Sequence, residues 1–197
     1  MPRAGLDRSA VVTVALACVD DTGPTGFADL TLAAVAARAG VAVPSLYKHV
    51  EGLPGLRREV ALACVEEFTA VLVAATDAAP TGHTGARLRA AVVATRAWAR
   101  RHPGRYAAVQ GGWPQDDQAV AVQAAAARAV EVLAAAVADL GVPPHRHVDA
   151  VRAVRAALHG FVVLELDGGF GMPDDVDTSF TFLVDGLVAG LTRTATP

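Results

Sequence analysis

The sequence predicts an all-α protein, and three observations lead to this prediction. Apolar residues recur at steps of three and four through most of the chain, which is the spacing of one face of a helix. Runs that alternate apolar and polar residues, as strands do, are nearly absent. The connections between the periodic segments are short and rich in Gly and Pro. About nine helices fit this pattern, without an internal repeat.

The composition is that of a globular protein. The 197 residues are 53% hydrophobic and carry a net charge of −3, so bulk charge indicates no particular partner. Only 5% are aromatic, and the apolar residues are mainly Ala, Val and Leu, which predicts a core of many small side chains between closely packed helices. The 17 basic residues include a single lysine, Lys48.

The first three helices are predicted from their apolar stripes and end signals. Between Asp7 and Asp21 the apolar residues fall on one stripe, which the TGPTG loop ends. In the segment TLAAVAAR, Thr31 is a predicted N-cap because its hydroxyl can accept from a free amide of the first turn. Gly40 can adopt the left-handed conformation that stops a helix. A third, short helix is expected to hold Ser45 to Val50.

The remaining elements are longer helices. A stripe at steps of four predicts a helix from about Pro54 to Ala78, with Pro54 at the first position, where its missing amide hydrogen has no cost. Further helices are expected near residues 85 to 102, 103 to 111, 115 to 140, 144 to 167 and 176 to 193. The basic run Arg100, Arg101, His102 and Arg105 is interpreted as a solvated helix end.

Residues 31 to 50 have the order of a helix-turn-helix, with a support helix, a tight AGV turn and a second helix that can enter the major groove of DNA. Its inner side is expected to carry Ala34, Val35, Val41, Leu46 and Val50, and its outer side Val43, Pro44, Ser45, Tyr47, Lys48 and His49. The polar outer side chains can reach phosphates or base edges, and Val43 and Pro44 can contact thymine methyls. Two alternatives stay open: Tyr47 packs against the first helix, and His49 is half buried.

Two longer segments resemble the N-terminal domain of TetR-family transcriptional regulators: LTLAAVAARAGVAVPSLYKHV at 30 to 50 and LRREVALACVEEF at 56 to 68. The segments WARRHPGRYAAV at 98 to 109 and RAALHGFVVLE at 155 to 165 resemble the subgroup with a W-x-x-x-H-G signature, although the tryptophan expected before His159 is missing. The resemblance implies a helix-turn-helix DNA-binding domain at 1–52 and a helical effector-binding and dimerisation domain at 53–197.

The resemblance also implies roles for single residues in DNA binding. Thr31 is expected to touch a phosphate and Tyr47 to contact the DNA backbone through its hydroxyl. Groove contacts are expected from Val43, Pro44, Ser45, Lys48 and His49. Many relatives place a phosphate-binding lysine at the start of the fourth helix, where this chain has EGLP, so Arg57 or Arg58 is a candidate replacement. Residues 1 to 60 hold six basic and six acidic side chains, so attraction to phosphates must come from placement rather than from bulk charge.

Two apolar faces near the C-terminus look like the helices of the family's four-helix dimer interface, with packing inside a single chain as the alternative. The residues expected there are Val151, Val154, Phe161, Phe180, Leu183, Val184, Gly186, Leu187, Gly190 and Leu191. A pocket for a small-molecule effector is expected to be lined by Phe68, Leu72, Trp98, Tyr106, Val109, Gln110, Trp113, Gln123, Leu158, His159 and Val162, each with an ordinary core role as the alternative. The implied mechanism is a homodimer that binds palindromic operator DNA and releases it when an apolar or amphipathic effector shifts the fourth helix. Repression is favoured, and activation stays open.

Other classes of protein have weaker support in the sequence. Cys18 and Cys64 lie far apart in apolar stretches, which favours buried thiols in a reducing cytoplasm over a disulfide or metal site. No uninterrupted apolar run approaches the ~20 residues of a membrane span, so a cytoplasmic protein without a membrane partner is expected. Metalloprotease, Walker, nucleophile-elbow and dinucleotide patterns are absent, so no catalytic residue, metal or cofactor is expected. The alternative function is a helical small-molecule sensor that does not bind DNA.

Overall fold

The computed structural model of the protein describes residues 6–111 and 118–194. Within these ranges the chain forms nine α-helices and no strand, which confirms the predicted fold class. The helices are α1 (Arg8–Thr22), α2 (Leu32–Ala39), α3 (Val43–Leu46), α4 (Gly52–Asp77), α5 (Ala86–Arg101), α6 (Pro103–Gln110), α7 (Val120–Ala138), α8 (His147–Leu166) and α9 (Val176–Thr194). Short 3₁₀ turns follow α1 and precede α8.

The first two helices begin at side-chain caps. Asp7 Oδ1 accepts from the amide of Ala10 at 2.8 Å, and Thr31 Oγ1 accepts from the amide of Ala34 at 3.1 Å. Each cap satisfies an amide that has no partner within its helix. α2 ends at Gly40, whose φ of 68° is the left-handed conformation that favours glycine. The predicted cap and stop of α2 are therefore confirmed.

The third helix is shorter than predicted and begins two residues earlier. It spans Val43–Leu46, with Pro44 in its first turn, where a missing amide hydrogen costs no helical bond. After Leu46 the chain continues in turns, and the amide of His49 donates to the Leu46 carbonyl at 2.9 Å. We call residues 43–50 the recognition segment.

The fourth helix also begins two residues earlier than predicted. Gly52 is its first residue, so Pro54 occupies the third helical position. An amide at that position still lacks a partner within the helix, which explains why proline is tolerated there. The later helices lie within a few residues of their predicted ranges, except that α7 starts at Val120 rather than near 115.

The chain divides into two compact units, and the first comprises Met1–Glu67 and His102–Ala125. Its buried core residues come from α1, the segment that leads into α2, α2 itself, the recognition segment, α4 and α6; they include Val11, Ala15, Val19, Leu30, Val35, Leu46, Val50, Leu56, Val60, Cys64 and Ala108. α6 approaches the end of α1 closely, because a Cβ at Gly104 would lie 2.6 Å from the carbonyl oxygen of Gly23. The unit boundaries fall inside α4, between α5 and α6, and inside α7, and the functional domain boundary at 52/53 stays a prediction.

An ion-pair cluster joins α1, α4 and α6 inside the first unit. Arg105 donates to Asp20 at 2.9 Å and to Glu67 at 2.5 Å, and its side chain is only 17% exposed. Hydrogen bonding to Asp20 raises the pKa of the Arg105 guanidinium. The interpretation of Arg105 as part of a solvated helix end is therefore wrong, because its guanidinium is largely buried and pairs with carboxylates of two other helices. This was not visible in the sequence, since those carboxylates lie far away along the chain.

The second unit comprises Phe68–Arg101 and Ala126–Pro197. Trp98 of α5 is 1% exposed in its core, and the Trp98 and Phe68 rings lie 5.1 Å apart. α5 therefore supplies the largest buried side chain of this unit.

The second unit also contains a buried ion-pair cluster, between α5, α8 and α9. Arg96 donates to both carboxylate oxygens of Glu165, at 2.7 and 2.5 Å, and pairs with Asp177 at 2.7 Å. The Arg96 guanidinium also lies 4.5 Å from the centre of the Phe180 ring. Hydrogen bonding to Glu165 raises the pKa of Arg96. One side chain thus ties α5 to both C-terminal helices.

Among the described residues, α7 alone is long and apolar enough to cross a membrane by length and composition. The mean hydropathy of its apolar window is 1.6, and 33% of that window is buried in the protein. Gln123, Arg128 and Glu131 interrupt the apolar sequence. Its buried positions include Val122, Ala125 and Leu133, as in the core-facing side of a globular helix.

Candidate functional site

The recognition segment presents two side chains to solvent. Tyr47 is 60% exposed, so most of its side chain does not pack against the first helix. Lys48 is also exposed, and within the described part of the chain it forms no ion pair. A phenol and an unpaired ammonium group side by side can donate to phosphates or base edges. That they do so stays a prediction.

Other residues predicted to contact DNA divide into exposed and half-buried ones. Pro44 is exposed, whereas Val43, Ser45 and His49 are half buried. Val43 packs against the core of the first unit, which reduces the surface that it can offer to a thymine methyl. His49 is held in place through its carbonyl oxygen, which accepts from Arg8 Nε at 3.3 Å. The half-buried alternative for His49 is confirmed.

Thr31 combines an observed structural role with its predicted contact. Its hydroxyl oxygen accepts the amide of Ala34, which leaves the hydroxyl proton free to donate to a phosphate. The residue is exposed at the start of α2. Its position therefore suits both the cap and a phosphate contact.

The two arginines that were candidates to replace the missing phosphate-binding lysine have different partners. Arg57 Nη2 donates to the carbonyl of Ala28 at 2.6 Å and to that of Leu30 at 3.3 Å, so it holds the segment that leads into α2. Arg58 Nη2 pairs with Glu51 at 3.2 Å. Arg57 is thus occupied by main-chain carbonyls. Arg58 is the better candidate for a phosphate contact, because a phosphate can replace its partner, the exposed carboxylate of Glu51.

The residues predicted to line the effector pocket are distributed over both units. In the second unit Phe68, Leu72, Trp98, Leu158 and Val162 are all buried. In the first unit Tyr106 is buried, and Val109, Gln110 and Gln123 are half buried. His159 is exposed on α8, one position after the buried Leu158, so its side chain does not line the interior of its own unit. Trp113 lies outside the described residues, and a pocket lined by this set stays a prediction.

A surface cleft of about 440 Å³ lies elsewhere in the second unit. It is formed by the loop between α4 and α5 with Arg87, Ala136 and Asp139. None of the predicted pocket residues lines it.

The predicted dimer residues divide into buried and accessible ones. Val151, Val154, Phe180 and Val184 are at most 5% exposed within a single chain, because they pack the second unit's own core. They offer little surface to a partner, which corrects their assignment as interface residues. Phe161, Leu183, Leu187, Gly190 and Leu191 are half buried, and Gly186 is exposed.

One exposed residue of α9 was not predicted. Phe182 is 81% exposed, the highest value for a large apolar side chain in the described ranges. It lies four residues before Gly186, so both are on one face of α9. The apolar stripe of α9 predicts only the core-facing positions. The signal that could have identified Phe182 is that it is an aromatic residue outside that stripe.

The comparisons with known proteins agree with this arrangement. The family model described as the tetracyclin repressor-like C-terminal domain matches residues 88–187. The uncharacterized HTH-type transcriptional regulator Rv0681 of Mycobacterium tuberculosis is 34% identical over 98% of this chain and 85% of its own length. These matches favour a DNA-binding regulator over a sensor that does not bind DNA.

Solved structures share the fold. A protein of unknown function from Rhodococcus sp. RHA1 has a TM-score of 0.79 and 24% identity, over 98% of this chain and 99% of that one. A TetR variant from Acinetobacter baumannii, solved with minocycline, has a TM-score of 0.69 and 22% identity, over 98% of this chain and 100% of that one. From its exposed recognition segment and from relatives that span nearly the whole chain, we conclude that this protein is a transcriptional regulator and belongs to the TetR family.

Proposed function

We propose that the protein is a repressor that binds a palindromic operator as a homodimer and is released by a small apolar or amphipathic effector. The observation that carries this proposal is the exposed pair Tyr47 and Lys48 on a recognition segment that is fixed at both ends. Gly40 stops the support helix before it, and the carbonyl of Leu46 holds the turns that follow. A segment fixed in this way can present donors to a groove without losing much conformational entropy.

The exposed faces of α8 and α9 support the homodimer. Glycine within a helix costs about 0.5–1 kcal/mol relative to alanine, so its presence usually has a packing reason. Yet a Cβ built at Gly160, Gly186 or Gly190 meets no atom within 4 Å apart from its chain neighbours and the nearby backbone of its own helix. Together with the exposed Phe182, these glycines suit close approach of helices from a second copy.

The proposed effector site uses the apolar interior of the helical domain. Phe68 and Trp98 form a tilted aromatic pair whose rings lie 5.1 Å apart, and Leu72, Leu158 and Val162 are buried in the same unit. Such an apolar interior suits a largely apolar ligand. An effector that favours the non-binding conformation by a few kcal/mol is sufficient to release the operator. A cytoplasmic location and the absence of catalysis belong to the same proposal.

Footprinting on the intergenic DNA beside the protein's own gene tests the operator part. We expect two protected half-sites related by a two-fold axis, with centres about 10 bp apart or a multiple of that spacing. A single protected half-site at saturating protein contradicts the dimeric arrangement.

Sedimentation of Phe182→Glu tests the dimer surface. We expect this variant to sediment as a folded monomer at concentrations where the wild type is a dimer, because a charge replaces a ring at the proposed contact. Val93→Glu is the matched control, since Val93 of α5 is also exposed, at 53%. Equal sedimentation of the wild type and both variants contradicts the proposed surface.

A further inference from the structure

Three of the five Lys and Arg side chains in the described residues 6–60 are paired with carboxylates. Arg58 pairs with Glu51 at 3.2 Å, and Arg8 pairs with Glu59 at 3.2 Å. Arg38 pairs with Asp21 on the same unit. Within the described residues 6–60 this leaves Lys48 as the one cation without a carboxylate or main-chain partner.

Two of these pairs border the end of the recognition segment. Arg8, Glu51, Arg58 and Glu59 line one cleft of about 300 Å³, together with Val50. Arg8 also donates to the carbonyl of His49, so its guanidinium lies beside the segment that carries Lys48. The four charges are therefore close to the surface that we propose for DNA.

These pairs have little value for stability. One member of each pair is largely solvated: the side chain of Glu51 is 78% exposed against 20% for Arg58, and that of Arg8 is 64% exposed against 33% for Glu59. Ion pairs that are open to solvent on one side usually contribute little to folding. Near a phosphate backbone the same carboxylates matter more, because each one repels the phosphates and occupies an arginine.

We propose that Glu51 and Glu59 are specificity-determining residues that hold Arg58 and Arg8 away from phosphates and so keep sequence-independent DNA binding weak. This inference rests on the proposed function. With both arginines neutralised, the energy of binding depends mainly on the contacts of the recognition segment with base edges. The protein then dissociates readily from DNA that lacks its operator.

The proposal predicts a change in salt dependence. Each additional phosphate contact steepens the fall of log K with log salt by about 0.9, which is about a 3.5-fold change between roughly 50 and 200 mM salt. Glu51→Gln and Glu59→Gln each free one arginine per protomer, and so two per dimer, without a change of side-chain size. The double variant frees four arginines per dimer, so it is expected to show about a 150-fold larger change than the wild type over that range.

The experiment is fluorescence anisotropy on a duplex of mixed sequence and on the intergenic fragment, across this salt range. Asp139→Asn is the matched control, because Asp139 pairs with Arg87 at 2.8 Å, is 48% exposed and lies in the second unit. We expect steeper slopes and tighter binding to mixed-sequence DNA for the two Glu→Gln variants, and a wild-type slope for the control.

Two results overturn the proposal while the proposed function stands. One is wild-type binding to the intergenic fragment with unchanged slopes in both Glu→Gln variants. The other is an equal effect of Asp139→Asn, which shows that bulk charge is responsible. Absence of wild-type binding to any fragment instead contradicts the proposed function itself.

Discussion

Replacement of Arg96 by Met is expected to destabilise the protein strongly. The Arg96 side chain is 9% exposed and that of Glu165 is 14% exposed, so removal of the guanidinium leaves a largely buried carboxylate whose remaining ion-pair partner among the described residues is the more distant Arg100, at 3.7 Å. The loss of Asp177 as a partner adds little, because its side chain is 71% exposed. Removal of one member of a buried pair typically costs about 3–5 kcal/mol, and we expect a value in that range.

The double variant Arg96→Met, Glu165→Met separates the cost of the unpaired charge from the value of the pair. Apolar replacement of a whole buried pair is often neutral, so this variant is expected to lie within about 1 kcal/mol of the wild type. Urea unfolding followed by circular dichroism, at one fixed protein concentration, measures both differences. A single variant that loses less than about 1 kcal/mol, or a double variant as unstable as the single one, refutes this reasoning.

Three further predictions concern the first unit. Gly104→Ala places a Cβ 2.6 Å from the carbonyl oxygen of Gly23, so we expect a loss of about 1–3 kcal/mol in urea unfolding; an unchanged midpoint contradicts the close helix approach. Thr31→Ala removes the α2 cap and is expected to cost about 1 kcal/mol in the same assay, whereas Thr31→Ser keeps the hydroxyl and restores most of it. Burial raises the pKa of Cys64 to about 12, so in a Cys18→Ser variant at pH 8 a thiol reagent should label Cys64 only after unfolding. Because unfolding lowers this pKa, the contribution of the protonated Cys64 thiol to the free energy of unfolding is complete below about pH 9 and declines as pH rises toward 12. Fast labelling of Cys64 in the native protein contradicts its burial.

The sequence was sufficient to predict the helices because their signals are local. The Thr31 cap, the Gly40 stop and the apolar stripes each depend on residues within one or two turns. The length of α3 was not predictable in this way. Its end depends on which amides the Leu46 carbonyl accepts, and that depends on how the next turn packs.

The ion-pair clusters were not predictable from local patterns. Arg105 and Asp20 are 85 positions apart, and Arg96 and Glu165 are 69 apart. Neither pair follows a helical spacing that marks its members as neighbours. The same limit applies to α8 and α9, where periodicity identifies an apolar face but does not distinguish core contacts from a partner surface. Val151 and Phe182 illustrate the two outcomes, since one is buried and the other is 81% exposed.

Our central claim is that the side chains of Tyr47 and Lys48 supply contacts on which the affinity of this protein for DNA depends. The most direct measurement is fluorescence anisotropy of the wild type and of a Tyr47→Ala, Lys48→Ala double variant on the intergenic DNA next to its own gene, at two salt concentrations. Because both side chains are exposed, the variant should keep the wild-type circular dichroism spectrum and unfolding midpoint. We predict tight, salt-sensitive binding by the wild type that the folded variant loses; equal binding by both proteins, or binding by neither on any intergenic fragment, contradicts the claim.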